Sequence, residues 1–463
     1  MLTYELKKGP GVPLYEALYR CIRADILSGR LSPGEKLPSK RTLAENLKVS
    51  KITVEGAYDQ LLSEGYICSV EKVGYFVEAL PTGYAAPVIQ ERQKPTSFDE
   101  NPEDKFVDLT ANGSATFPFS AWSKLQRQVV LDVGQGLLAP LPNQGLLQLR
   151  QAISVHLLQF RGMVVSPRNI LIGAGTDFLY NLLMQLLGRE KVYAVEEPGY
   201  GKIRRIYAAG GVRCVGAPMD GQGVLPDRLG PAQVLHISPS HHFPTGIVTP
   251  AGRRLALLNW AKAQPDRWII EDDYDTEFRF SAHPMAAMQS MDPDRVIYMN
   301  TFSKTLTPSI RISYLVLPEA LMDRFQQELG FYSCTVASFE QHTLARFLEQ
   351  GQFEKHINRM RKLYRSRRNR VLSVITGCPQ AEKMAVLEQN AGLHFLLRVD
   401  TALSDKVLTE RFEAAGILVR SLGSYCHEGI AREDTHTLVI NYSGLSDTDI
   451  KKLETALSCL EDL

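Results

Sequence analysis

The sequence predicts two folding units: a small one, residues 1–80, in which helices precede a short hairpin, and a large α/β one, residues 107–463. Three observations support this division. The chain has 463 residues, 44% of them hydrophobic, which is enough for two or three cores at ~150 residues per domain. Residues 81–106 are rich in proline, charge and small polar side chains and have no sustained apolar period, which is typical of a linker. After them, short β-branched runs alternate with amphipathic segments, the pattern of a parallel sheet covered by helices.

In the first 80 residues, three helical segments precede the hairpin. Apolar residues recur at helical spacing until Ser28 and Gly29 end the first segment: Leu14, Leu18, Ile22 and Ile26. The second segment, 39–46, has Ser39 as its N-cap, and Ser50 caps a third segment. The alternation in YICSVEKVGYFV then predicts two short strands. Helix, turn, helix and a two-stranded wing make up a winged helix-turn-helix.

A winged helix-turn-helix binds double-stranded DNA, and its geometry predicts the contacts. The third helix is expected to enter the major groove with its first residues nearest the base edges. Cations begin the second helix, and the wing brings another toward the minor groove. We therefore expect the following residues to contact operator DNA: Lys40, Arg41, Ser50, Lys51, Thr53, Lys72 and Gly74. The alternative is that these mixed charges form only a solvated helical face.

Composition narrows the class of protein. The formal net charge is only +1, so contact with nucleic acid requires a local basic patch. The seven cysteines are odd in number and scattered, without metal-type pairing, which is typical of reduced thiols. No basic-then-apolar leader and no long apolar run is present. We expect a soluble cytoplasmic protein without a bound metal.

Two motifs of the large unit follow predicted strands, where open parallel sheets bind ligands. In GAGTDF, the backbone amides of Gly175 and Thr176 at a helix N-terminus could hold a phosphate, although a tight turn explains the glycines equally well. In EDDYD, Asp272 and Tyr274 point to the same side of an extended strand and could grip two polar atoms of one flat ligand. A metal-binding or solvated acidic turn is the alternative.

Two further motifs concern an aromatic ring and a lysine. Tyr200 in EEPGYG could stack on a ring, although such a tyrosine is more often part of a core. In TFSKTLTPSIR, Lys304 lies near the hydroxyls of Thr301 and Ser303, and Arg311 follows seven positions on. A lysine shielded from water has a lowered pKa and can form a Schiff base with an aldehyde. The hydroxyls and the guanidinium suit a phosphate dianion.

With these motifs in this order, residues 108–460 resemble the class I aminotransferases of fold type I, which bind pyridoxal 5'-phosphate. SKTLTPSIRISY is similar to their cofactor-lysine motif, and the first unit resembles the GntR regulators. The whole chain resembles the MocR-type transcription factors. The resemblance implies a winged helix-turn-helix joined to an α/β aminotransferase-like domain, with the cofactor site in 107–332 and a C-terminal part in 333–463.

The resemblance also implies roles for single residues. Lys304 would form the Schiff base, Asp272 would hold the pyridine nitrogen, and Tyr274 the phenolic oxygen of pyridoxal phosphate. The implied cofactor-binding residues are Gly175, Thr176, Tyr200, His242, Asp272, Tyr274, Thr301, Ser303, Lys304 and Arg311. His242 is included because Phe243 stands where the family has an asparagine before Pro-Thr-Gly.

One departure from the family bears on function. Val439 stands where the aminotransferases carry the arginine that binds the substrate carboxylate, and this loss argues against efficient transamination of ordinary α-amino acids. We therefore expect a regulator that senses pyridoxal phosphate, and with it vitamin B6 status, as do the vitamin B6 regulators of this group. Two alternatives stay open: an amino-compound effector, such as GABA or a D-amino acid, that forms an external aldimine, and an active aminotransferase with an appended DNA-binding domain. The resemblance implies a homodimer, side by side or head to tail.

Overall fold

The computed structural model describes residues 2–4, 13–79, 106–110, 113, 116–280, 285–427 and 435–458. The chain divides into two compact units, Met1–Asn101 and Pro102–Leu463. Of the predicted linker, 81–106, only residue 106 belongs to the described part.

The small unit has three helices followed by an antiparallel hairpin. Its elements are α1 (Leu14–Leu27), α2 (Lys40–Leu47), α3 (Lys51–Ser63), β1 (Ile67–Val70) and β2 (Gly74–Val77). Ser39 caps α2 and Ser50 caps α3, each by accepting a backbone N–H three residues on, as the sequence predicts. Leu18, Val54 and Tyr58 lie in its core.

The large unit is built on an eight-stranded sheet in the order β4-β11-β10-β9-β8-β5-β6-β7. The strands are β4 (Ile170–Gly173), β5 (Val192–Glu197), β6 (Arg213–Asp220), β7 (Gly223–Val224), β8 (Val234–Ile237), β9 (Trp268–Asp272), β10 (Val296–Thr301) and β11 (Ser313–Val316). β8, β9 and β10 run parallel to one another, in agreement with the predicted parallel sheet.

β11 departs from that prediction, because it pairs antiparallel with both β10 and β4. Its connection from β10, residues 302–312, is shorter than the dozen or more residues that a parallel crossover requires. The chain therefore turns back, and this turn carries Lys304 and Arg311 at the carboxyl end of β10.

Helices cover both faces of this sheet and continue into a C-terminal part. The helices are α4 (Phe119–Val133), α5 (Leu147–Arg161), α6 (Thr176–Leu187), α7 (Gly201–Ala209), α8 (Ala251–Lys262), α9 (Met288–Met291), α10 (Phe302–Thr305), α11 (Glu319–Glu328), α12 (Ser338–Glu349), α13 (Gln352–Gly377), α14 (Asp405–Ala414) and α15 (Asp447–Ser458). Ile270 of β9 packs in one core with α6 and α11, whereas its neighbour Ile269 packs with α8, because successive side chains point to opposite faces.

The C-terminal part contains a four-stranded antiparallel sheet, in the order β12-β13-β16-β15, and a parallel strand pair, β3 with β14. Their bounds are β3 (Val107–Asp108), β12 (Met384–Leu387), β13 (His394–Val399), β14 (Ile417–Leu418), β15 (Arg420–Ser421) and β16 (Thr437–Asn441). None of the described helices is both long and apolar enough to span a bilayer.

Candidate functional site

The large unit contains a cavity of about 260 Å³ near the carboxyl ends of β9 and β10 and the N-terminus of α6. Parallel strands bring their carboxyl ends to one edge of the sheet, so motifs that are far apart in sequence meet there. Eight of the residues predicted from the sequence line this cavity: Thr176, Tyr200, Asp272, Tyr274, Thr301, Ser303, Lys304 and Arg311.

Lys304 lies in α10, directly after β10. Burial lowers the pKa of its amine, while the nearby carboxylates of Asp275 and Asp272 act in the opposite direction. The Nζ atom forms no hydrogen bond with another of the described residues. A partly buried amine with a lowered pKa and no partner is suited to act as a nucleophile.

Asp272 is the last residue of β9, and only one of its two carboxylate oxygens is hydrogen-bonded to another described residue. Its Oδ2 accepts a hydrogen bond from the Tyr180 hydroxyl at 2.7 Å and lies 3.3 Å from His236 Nε2. His236 is fixed in turn by the Tyr207 hydroxyl, 2.7 Å from its Nδ1. Asp272 Oδ1 is buried without a partner among the described residues. The cavity therefore offers an unpaired carboxylate oxygen to a ligand that can donate a hydrogen bond.

Tyr274 lies on the same side of the chain as Asp272. Its hydroxyl is 3.4 Å from His241 Nδ1, which is itself 2.9 Å from Asp275 Oδ2. Burial, together with the Asp275 charge, raises the pKa of Tyr274 well above its usual value. The phenol therefore keeps its proton and can donate it in a hydrogen bond to a ligand.

The N-terminus of α6 forms an anion cradle with the β10–β11 turn. Gly175 has φ 87°, and a Cβ there would lie 2.2 Å from Arg311 Nη2, so the guanidinium rests directly on this backbone. Thr301 Oγ1 accepts from the Ser303 backbone N–H at 3.1 Å. Ser303 Oγ is buried without a partner among the described residues. The Gly175 N–H itself donates to the Gly173 carbonyl at 2.8 Å, and Gly175 does not line the cavity. The amides that follow it in the first turn of α6, a hydroxyl and a guanidinium are groups that bind a phosphate.

Three aromatic rings lie at and beside the cavity. Tyr200 is 50% exposed, and its ring is nearly perpendicular to that of Phe243, with a centroid distance of 5.9 Å. Tyr425 packs against Phe243 at 5.1 Å. Tyr200 is thus not a core residue, and its ring is free to stack on a flat ligand.

In the small unit, the first turn of α3 presents a mixed surface. Ser50 Oγ accepts from the Thr53 backbone N–H at 3.2 Å and lies 2.8 Å from Thr53 Oγ1. Both hydroxyls are therefore occupied by the helix cap. Lys51 is exposed, and Ile52 is 79% exposed. Lys51 and Ile52 are therefore exposed residues of the first turn whose side chains take no part in the cap.

The cations predicted to contact DNA differ in their surroundings. Lys40 Nζ lies 3.1 Å from Asp59 and 3.8 Å from Glu55, and its side chain is only 18% exposed. Lys40 thus faces two carboxylates of α3 that are spaced one turn apart. Arg41 is 86% exposed, with one surface ion pair to Glu45. Lys72 is 90% exposed and, with Gly74, forms the tip of the wing.

The chain is similar to known transcriptional regulators over most of its length. The family of bacterial regulatory proteins called gntR matches residues 14–77. The HTH-type transcriptional regulator YdeL of Bacillus subtilis is 36% identical over 472 residues, covering 98% of this chain and 99% of YdeL. The HTH-type pyridoxine biosynthesis transcriptional regulator PdxR of Corynebacterium glutamicum is 33% identical, covering 87% of each chain. MocR of Rhizobium meliloti, a probable rhizopine catabolism regulatory protein, is 33% identical, covering 89% of this chain and 87% of MocR.

The chain belongs to the MocR-type regulators of the GntR family. Among solved structures, the kynurenine aminotransferase of Pyrococcus horikoshii covers 77% of this chain and 90% of its own, with a TM-score of 0.66 and 22% identity. The large unit of this MocR-type regulator therefore has the fold of the fold type I aminotransferases.

The fold shows where the two residues lie at which the sequence departs from the aminotransferase pattern. His242 does not line the cavity; its Nδ1 lies 2.6 Å from Thr245 Oγ1, and it is Phe243 that reaches the cavity wall. Val439 is buried in β16, directly opposite Arg420 of β15. Phe243 thus presents an aromatic ring to the cavity, whereas Val439 is not one of its lining residues.

Sequence reasoning missed the residues that surround Asp272 and Lys304. The polar lining residues outside the predicted cofactor-binding set are Asp177, Tyr180, Glu196, Lys202, His236, Ser238, Asp275 and His394. One signal was available for His236, because a histidine in the otherwise apolar strand VLHI needs a buried partner. The others are spread over several helices, strands and turns, and no spacing rule connects them.

Proposed function

We propose that this MocR-type regulator binds pyridoxal phosphate in the cavity of its large unit and that occupancy of the cavity controls its binding to operator DNA. The observation that carries the proposal is the lowered pKa of Lys304 in the same cavity as the unpaired Oδ1 of Asp272. PdxR, to which the chain is similar, is named as a regulator of pyridoxine biosynthesis. The effector would then report vitamin B6 status, and a DNA-binding role implies a cytoplasmic location.

The donor set of the cavity fits this cofactor. Asp272 offers a buried carboxylate oxygen, which suits a protonated ring nitrogen. The Ser303 hydroxyl, the α6 amides and Arg311 suit the phosphate. Because Asp272 Oδ1 and Ser303 Oγ are buried without partners among the described residues, a ligand that bonds to them would remove the cost of leaving these atoms unpaired.

The residues of the chain would divide the work as follows. Pyridoxal phosphate, when bound, supplies an aldehyde that a neutral amine can attack. Lys304 is suited to be that amine, because burial favours its uncharged form. Tyr274 would donate to the phenolic oxygen, since its high pKa keeps the proton on its hydroxyl. Tyr200 would cover one face of the ring and limit access of water.

Sensing fits the cavity better than turnover does. A sensor needs only a difference in ligand affinity between two states of the protein. Transamination also needs a cation for the substrate carboxylate, and Val439, at the position of the family's arginine, is buried and uncharged. Arg204, another cation near the cavity, pairs with Glu197 at 3.2 Å. The chain therefore keeps the groups for holding a cofactor, whereas an uncharged side chain stands at the position of the family's carboxylate-binding arginine.

The same proposal includes a homodimer that presents two DNA-binding units. α4 and the segment after it expose Phe119, Leu131 and Leu138, and an exposed apolar surface of this kind favours association. The two DNA-binding units of the dimer would contact paired half-sites of the operator.

The test is fluorescence anisotropy of the cofactor-stripped protein on DNA from upstream of its own gene, titrated with pyridoxal phosphate. We expect the cofactor to change the dissociation constant by at least about fivefold, which corresponds to a coupling of ~1 kcal/mol. Lys304→Ala should abolish the response, whereas Lys355→Ala, a matched change at an exposed lysine, should keep it. A response to an amino compound alone would assign the effector to that compound, and a borohydride-reducible band that persists in Lys304→Ala would rule out this lysine.

A further inference from the structure

One carboxylate lies between two cations on the wall of the cavity. Asp177, the second residue of α6, has its Oδ2 2.8 Å from Lys202 Nζ and 3.4 Å from Arg311 Nη2. All three side chains are part-exposed, between 39% and 48%, and all three line the same cavity. An acid is unexpected at this point, because a phosphate at the same helix N-terminus would carry the same sign of charge.

Arg311 does not need Asp177 to hold its orientation. Its guanidinium rests on the backbone of Gly175, where a Cβ would approach to 2.2 Å. Its own backbone has φ 49°, which fixes the direction in which the side chain leaves the turn. The Asp177 contact is longer than the Asp177–Lys202 contact by 0.6 Å, from 3.4 Å and 2.8 Å. Asp177 therefore contacts a guanidinium whose position is already fixed by the backbone.

We propose that Asp177 competes with the bound phosphate group for Arg311 and Lys202, and so keeps the cofactor exchangeable. This inference rests on the proposed function and specifies how the same site is regulated. An anion at the α6 amides must contact the guanidinium on Gly175, and Asp177 already contacts that guanidinium. Binding thus requires Asp177 to share Arg311 with a second anion or to withdraw toward Lys202. Either response lowers the affinity of the phosphate relative to a neutral side chain at position 177.

The competition gives a sensor a useful property. A cofactor held by every available cation would stay bound at any cellular concentration and would report nothing. Weakening the phosphate subsite alone lowers affinity without touching Lys304, Asp272 or Tyr274. Lys304, Asp272 and Tyr274 would thus select the aldehyde, whereas the charge of Asp177 would set the ligand concentration at which the site fills.

Asp177→Asn in the full-length protein tests the inference, with two probes that differ only in the phosphate. Binding of pyridoxal phosphate and of unphosphorylated pyridoxal is followed by the absorption band of the bound aldehyde. We expect the variant to bind pyridoxal phosphate about tenfold more tightly, because one competing charge has gone, and to bind pyridoxal within about twofold of the wild type. Asp323→Asn is the matched control, since Asp323 pairs with Arg168 at 3.2 Å and does not line the cavity.

The outcomes that overturn the inference are distinct from failure of the proposed function. Weaker binding of pyridoxal phosphate by Asp177→Asn would mean that Asp177 orients Arg311. Equal changes for the two probes would show that the effect does not act through the phosphate. Unchanged affinity in Asp177→Asn, with Lys304→Ala abolishing the band, would overturn this inference alone. Absence of the band in the wild type would overturn both proposals.

Discussion

Asp272 shows how much a single site residue depends on its neighbours. Its position after a buried strand and its two-residue spacing from Tyr274 were readable from EDDYD, because side chains of a strand repeat every second residue. Its hydrogen-bond partners were not, since Tyr180 comes from α6 and His236 from β8. These partners hold one carboxylate oxygen and leave the other unpaired. The sequence thus predicts which residue binds, whereas tertiary structure determines which of its atoms is free.

Glu196, also on the cavity wall, makes stability depend on pH. Its side chain is 10% exposed, and burial raises its pKa from 4.5 to about 8. Between these values the unfolded chain loses a proton that the folded chain keeps, so the free energy of unfolding falls as pH rises, by about 1.4 kcal/mol per unit. The amide introduced by Glu196→Gln cannot ionise. The substitution should therefore remove this contribution to the pH dependence of the free energy of unfolding between pH 6 and 8, the range in which the wild type becomes less stable.

Urea unfolding at pH 6, 7 and 8 measures the effect of Glu196→Gln. The three tryptophans, Trp122, Trp260 and Trp268, all belong to the large unit, so their fluorescence reports on that unit. Glu328→Gln, at a surface ion pair with Arg324, is the control and should keep the wild-type slope. Equal slopes in all three proteins would contradict the raised pKa of Glu196.

Among the elements, α3 has the clearest prediction. Its cap occupies the hydroxyls of Ser50 and Thr53, and Ile52 is left 79% exposed beside Lys51. An aliphatic side chain on a recognition helix is suited to contact the methyl group of thymine. We expect Ile52 to read a thymine in each half-site, a residue that the sequence-based set of DNA contacts did not include.

Replacing thymine with deoxyuracil in the selected operator removes only that methyl group. Wild-type affinity should fall about threefold to fivefold, in keeping with ~0.8 kcal/mol for each buried methylene-sized group. Ile52→Ala should bind the two DNAs equally well, and Val164→Ala, at an 88% exposed residue of the large unit, should behave as the wild type. A thymine preference that survives in Ile52→Ala would assign the methyl contact to another residue.

The β10–β11 turn shows which part of an element the sequence predicts. The apolar run of β10 and the lysine after it were readable, because buried strands have continuous apolar residues and ligand sites follow their carboxyl ends. The antiparallel direction of β11 was not predicted, since its four residues are all buried and show no alternation. Only the length of the connection, residues 302–312, indicates the reversal.

At the scale of the whole molecule, regulation requires that ligand binding in one unit change the other. Each unit has its own core: Leu18, Val54 and Tyr58 belong to that of the small unit, and Ile270 to one of those of the large unit. We therefore expect two unfolding transitions. Tryptophan fluorescence reports unfolding of the large unit, and hydrogen exchange of α1 to α3 reports unfolding of the small unit. Pyridoxal phosphate at 100 times its dissociation constant should stabilise the large unit by about 2.7 kcal/mol.

Coupling between the units is then measured by adding operator DNA. DNA should protect the amides of α1 to α3 from hydrogen exchange. In a regulator, the free energy of this protection should differ with and without pyridoxal phosphate by ~1 to 3 kcal/mol, which is typical of allosteric coupling. Reciprocity requires DNA to change the cofactor's dissociation constant by the same factor. If each ligand stabilises only its own unit and neither alters the effect of the other, the large unit binds its cofactor without controlling DNA binding.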